Sequence, residues 1–179
     1  MRVILLFLLI FITGCDPPQS IDNPHKSSER TLINEVTNQT FIQLKMEKGL
    51  YPFGTGEGGG VNQIRMLALS FRYYKEIEIE EARKLLMAAG TLFLKNINSN
   101  EQIRPYLKND PFRPGNIDIA IFVQKPNGSE PDLDKLTLIE MTDGMLKYSI
   151  RSSETGRLTK VCKETYAEAE IKLGKTAGF

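Results

Sequence analysis

Histidine is nearly absent from this 179-residue chain. Its one copy, His25, sits in a stretch of proline, serine and polar residues near the start. That closes Ser-His and Cys-His catalysis, unless a lysine or a carboxylate serves as base, and it closes any multi-histidine metal centre. Tryptophan is missing altogether, and cysteine occurs only at Cys15 and Cys162. An excess of either charge is missing too: 23 Lys and Arg stand against 22 Asp and Glu. Binding nucleic acid regardless of sequence needs a basic face, and docking on anionic lipid heads needs a basic cluster, so the balance argues against both. No apolar run reaches the roughly 20 residues of a membrane-spanning helix. No cofactor motif with the right surroundings stands out, and none is expected.

The chain opens with Met1-Arg2, then ten uninterrupted apolar residues, Val3 to Ile12, then Thr13, Gly14 and Cys15. A basic start, a short apolar run and a small-residue cut site are the parts of a secretory signal. Ile12-Thr13-Gly14-Cys15 resembles the lipobox of bacterial lipoproteins: an aliphatic residue, a small or β-branched one, Gly or Ala, then Cys. The resemblance covers residues 1–15. It implies a diacylglyceryl group on the Cys15 sulfur, cleavage before Cys15, and often a further acyl chain such as palmitate on the new amino group. Two or more acyl chains anchor stably where one binds only marginally. Asp16 resembles the signal that retains such proteins in the inner membrane of some two-membrane bacteria.

Cleavage would remove Arg2 alone among the charges, leaving 22 basic (23 less Arg2) against 22 acidic residues. The lipid, rather than charge, is then the expected membrane anchor. With Cys15 lipidated, Cys162 has no partner for an internal disulfide. It reads as a small buried hydrophobe. As a nucleophile it would have only Lys160 and Lys163 nearby to activate it. Residues 16–30, DPPQSIDNPHKSSER, read as a tether that fully extended reaches about 50 Å. The expected organisation is a signal at 1–14, a lipidated Cys and tether at 15–30, and one domain at 31–179.

Within that domain the spacing predicts a helix over 31–48, with Ile33, Val36, Thr40 and Leu44 on one face and Gly49 as its stop. A second is expected over 61–75, from Ile64, Leu67, Ala68, Phe71 and Tyr74. A third is expected over about 79–97, from Ala82, Leu85, Leu86, Ala89, Leu92, Phe93 and Ile97. Ser99 and Gln102 form a capping-box pattern for a further short turn. After Pro114-Gly115 the period changes to two: Ile117, Ile119, Ile121 and Val123 alternate along a strand. Asn127-Gly128 marks a turn, Leu136 to Met141 a second strand, Asp143-Gly144 a tight hairpin, and Leu146, Tyr148 and Ile150 a third. A fourth is expected over 157–163, then a short helix capped by Thr165 and Glu168. Helices first and strands after give an α+β fold: N-terminal helices on a three- to four-stranded antiparallel sheet, with a short C-terminal helix.

The most unusual segment is Tyr51-Pro-Phe-Gly-Thr-Gly-Glu-Gly-Gly-Gly60. Residues 54–59 match G-x-G-x-x-G in form, yet a helix is expected before them where a dinucleotide site has a strand. No G-K-[ST] follows, and Glu57 repels phosphate. The segment reads as a mobile connector between two helices, or as a ligand or partner loop formed by Tyr51, Phe53, Gly54, Gly56, Gly58, Gly59 and Gly60. In either case alanine at 58–60 is expected to leave stability nearly unchanged. Glu76, Glu78, Glu80 and Glu81 suit a helix start, where the macrodipole favours acids, more simply than they suit a metal site. Glu130, Asp132 and Asp134 lack the glycine and terminal glutamate of a calcium loop. Arg104, Lys108 and Arg113, among prolines and aromatics, read as a stiffened connection. No metal site is expected. The functional expectation is a membrane-tethered, non-catalytic binding or assembly module of the cell envelope with a protein partner. The alternative is a carboxylate- or lysine-dependent envelope enzyme with the glycine segment as its lid.

Overall fold

A computed structural model describes residues 24–60 and 63–174, with side chains from residue 28 onward. The signal, Cys15 and most of the expected tether lie outside these residues. The first helix, α1, runs Pro24–Lys48, so residues 24–30 are helical rather than tether. The strands are β1 (Tyr51–Gly60), β2 (Gln63–Tyr73), β3 (Ile117–Val123), β4 (Leu136–Thr142), β5 (Met145–Arg151) and β6 (Leu158–Thr165). Helix α2 (Ile79–Ser99) lies between β2 and β3, and α3 (Tyr166–Lys172) follows β6.

The fold is α+β, with six strands in the order β1-β2-β3-β4-β5-β6. All neighbours are antiparallel except β2 and β3, which run parallel because the chain crosses over through α2. The expected all-antiparallel sheet of three or four strands is thus corrected to a mixed sheet of six. The two extra strands come from residues read as glycine connector and helix.

The helix expected over 61–75 is strand β2. Leu67, Leu69 and Phe71 are buried at every second position. Met66 and Ala68 alternate with them on the other face. Their apolar character fills the gaps and imitates the stripe of a helix. Pairing settles the matter, since β2 has β1 on one side and β3 on the other. The glycine segment, a weak strand former on its own, gains its ladder from β2.

Several expected signals appear as read. Gly49 takes a left-handed φ of 67° and ends α1, its N–H donating to the Lys45 carbonyl. Asp143 and Gly144, with φ of 52° and 70°, make the hairpin between β4 and β5. Both positive values suit the type I′ turn, whose twist matches the flanking strands. The Thr165 hydroxyl accepts from the Glu168 N–H while the Glu168 carboxylate accepts from the Thr165 N–H, closing the capping box of α3. The Ser99–Gln102 box is corrected. Asn100 accepts from the Gln102 and Ile103 N–H groups, and the Ser99 hydroxyl turns back to the Asn96 carbonyl.

The helices cover one face of the sheet. Phe41 of α1 meets Phe71 edge-on at 5.3 Å between ring centres. Gly90 lets α2 approach closely, since a Cβ there would lie 2.7 Å from the Met141 methyl. Ile117, Ile119, Ile121, Ile139, Met141 and Leu146 are buried in the same layer. Asp118, Ala120 and Phe122 alternate with the β3 core residues and stay half-buried. They belong to the opposite, open face.

Candidate functional site

The open face is built by the register of its central strands. Gly54 lies opposite Ser70, Gly56 opposite Ala68 and Gly58 opposite Met66. Ser70 in turn faces Ala120, Ala68 faces Asp118, and Ala120 faces Glu140. Small side chains thus meet on three adjacent strands. Where neighbours on a pleated face normally carry full side chains, they leave a depression of about 250 Å³. Its walls include Gly54, Gly56, Ser70, Asp118, Glu140 and Thr142.

Asp118 and Glu140 are the charged residues of that lining. They hold diagonal positions on adjacent strands, where backbones stand roughly 7–8 Å apart. Burial, and then repulsion from Asp143, raises the Asp118 pKa above its ordinary value. A backbone hydrogen bond at Asp143 and the charge of Lys147 offset this only in part. The depression is partly open to solvent, so water reaches both acids. The dry, enclosed surroundings in which an acid–base pair works best are not formed here.

At one end of the depression stands an aromatic and cationic cluster. Phe53 is half exposed and meets Phe122 edge-on at 5.4 Å, with the Arg72 guanidinium 4.3 Å over its ring. Tyr51 is exposed, packs against Tyr74 at 5.2 Å, and has the Lys45 ammonium 5.5 Å from its ring centre. The sequence-expected contact residues lie on an edge strand rather than in a mobile loop, Tyr51 and Phe53 with separate aromatic and cationic neighbours. Gly54 to Gly60 are hydrogen-bonded partners of β2. Arg72, Phe122, Asp118 and Glu140 were not singled out in the sequence. The available signal was the period-two alternation of 67–73, which puts Arg72 on the face opposite Phe71.

The two edges of the sheet differ. Strand β6 carries Lys160 and Lys163, and Val161 bulges out of its register with β5. Lysines and bulges on an edge deter a further strand from pairing. Strand β1 carries a single charge, Glu57. Register shifts at Pro52/Gly54 and Gly58/Gly59 bracket a regular run, Gly54–Gly58.

A second polar cluster lies under α2 and α3. Glu164 of β6 is buried and accepts from Arg83 Nε at 2.7 Å, the Tyr148 hydroxyl at 2.6 Å and Lys172 Nζ at 2.6 Å. Arg83 also donates to Glu80 at 2.6 Å. Burial by itself would raise the Glu164 pKa, but the three donors and the Arg83 charge outweigh it and hold it below the ordinary value. Each member is satisfied within the cluster, which ties α2, β5, β6 and α3 together. Cys162 is half-buried and packs beside the core.

Several of the other charged groups singled out in the sequence are taken up by partners. Glu78 meets Lys135, Glu80 meets Arg83, and Glu81 meets Lys75. Asp132 meets Lys125 and Glu130 meets Arg151, while Asp134 accepts from the Ser153 N–H. The loop acids thus point to separate partners. Arg104 donates to the Asn98 carbonyl, within the connection after α2. Among the described residues, no three His, Cys, Asp or Glu side chains gather to hold a metal ion. No helix of those residues is long and apolar enough to cross a membrane, which leaves strand-built barrels unaddressed.

No family model matches the chain, and no curated protein or solved structure is significantly similar to it.

Proposed function

We propose that the chain is a lipid-anchored lipoprotein of the cell envelope, whose domain binds a partner protein through residues 51–60. The anchor is carried by the lipobox at Ile12–Cys15, and Asp16 favours the inner membrane. Binding rests on one geometric observation: β1 is the edge of the sheet that carries no lysine, and it presents Tyr51 and Phe53 in fixed, exposed positions. Exposed aromatic groups held in place make good anchors for a partner, because little side-chain freedom is lost on binding.

The anchor is tested by labelling cells with a fatty-acid analogue. Wild-type protein takes up the label, and Cys15→Ser accumulates as an unprocessed, unlabelled precursor. Equal labelling of the two proteins would overturn the assignment.

A further inference from the structure

We infer that β1 takes up an extended segment of the partner as a seventh strand, with a Lys or Arg of that segment facing Glu57 and bulky apolar residues lying over Gly54, Gly56 and Gly58. This rests on the proposal that residues 51–60 bind a partner protein.

The first ground is the backbone. The sheet ends at β1, and among the described residues no strand lies beyond it. An edge strand presents a row of N–H and C=O groups ready to pair, and strand addition uses that row for affinity. The regular run Gly54–Gly58 gives an incoming strand a straight register between two bulges.

The second ground is the contrast between edges. No lysine on β1 matches Lys160 and Lys163 of β6, and the β1 register shifts flank the run Gly54–Gly58, whereas the Val161 bulge interrupts β6 in mid-strand. One edge of this sheet is guarded by lysines along its length, and the other offers an unguarded run at Gly54–Gly58.

The third ground is side-chain space. Gly54, Gly56 and Gly58 place no side chains on the open face, and the depression lined by Ala68, Ser70 and Ala120 lies directly beside them. Residues of an added strand on that face can lean across β1 into this space. Large apolar or aromatic side chains fill room beside strand glycines better than small ones.

The fourth ground is charge. Glu57 is exposed and forms no ion pair among the described residues. Pairing β1 with a second copy of itself would bring in another Glu57 and no cation. A strand that carries Lys or Arg opposite Glu57 gains a favourable cross-strand pair instead. The partner segment is therefore extended, alternates bulky apolar with polar residues, and is basic near its middle.

The test uses the full lipidated chain in lipid nanodiscs, probed with a displayed library of random linear peptides as long as β1. Peptides alternating bulky apolar residues with Lys or Arg are expected to be enriched over empty nanodiscs. N-methylation of alternate amides in a selected peptide should weaken binding about tenfold or more for one set, with little effect for the other set. Glu57→Lys should shift selection to acidic peptides. No enrichment, or indifference to N-methylation of either set, would overturn strand addition. So would concentration-dependent pairing of the chain with itself that is lost on Gly56→Pro. Peptides that lose binding on Phe53→Ala yet tolerate N-methylation throughout would keep residues 51–60 as a binding surface while removing this mode.

Discussion

The residue on which most of the buried electrostatics converges is Glu164. Its side chain is 2% exposed and takes hydrogen bonds from Arg83, Tyr148 and Lys172. Nothing in the sequence points to it, because a glutamate next to Lys163 on the last strand resembles an ordinary solvated position. Arg83 is equally hidden, standing between Ala82 and Leu86 on a helix whose apolar stripe is otherwise plain. The sign of its pH effect follows from the depressed pKa of Glu164. An acid whose folded pKa is lowered stabilises the fold above its unfolded value, and that contribution is lost as pH falls through the folded value. Denaturant midpoints of the wild type should therefore drop from about pH 5 downward. Glu164→Leu leaves Arg83 without its buried partner and should cost about 3–5 kcal/mol at neutral pH. Its acid-side loss should also be shallower. Equal stability of the two proteins at neutral pH would show that the cluster does not hold α2 to β6.

At the level of elements, legibility followed locality. The β4–β5 hairpin, the α3 cap and the α1 stop each depend on two to four adjacent residues, and each is visible in the sequence. Strand β2 is not, because its apolar residues fit both a period of two and a period of 3.6 until a partner strand decides. Strand β1 is hidden for the same reason, since its glycines pair only when β2 lies beside them. The hairpin they form also corrects the expected tolerance of Gly58 to Gly60. A Cβ on Gly59 would run into the Gln63 carbonyl oxygen, whereas one on Gly60 meets nothing within 4 Å among the described residues. Gly59→Ala must shift backbone and should cost about 1–3 kcal/mol. Gly60→Ala should stay within about 0.5 kcal/mol of wild type. Urea midpoints of the two variants compare them directly; equal midpoints would mean that Gly59 and Gln63 are not closely fitted.

For the whole molecule, the α+β class was legible, while the parallel contact of β2 with β3 was not. That contact joins residues separated by all of α2 and the connection after it, and no local pattern encodes it. It bears on the proposed function because it sets Ala68 and Ser70 beside Asp118 and Ala120, and so creates the depression next to the open edge. The candidate contact residues 51–60 were legible as unusual chemistry, but their role as an edge strand emerged only from the sheet order. The central proposal is that the domain is anchored to a membrane and meets a partner along β1 and not along β6. Its most direct test places a photo-crosslinking amino acid in the full chain, in native membranes, at Thr55 of β1 or at Leu158 of β6, both of which are exposed. The account predicts a discrete adduct from position 55 that is missing from position 158. The same adducts from both positions, or none from position 55, would contradict it.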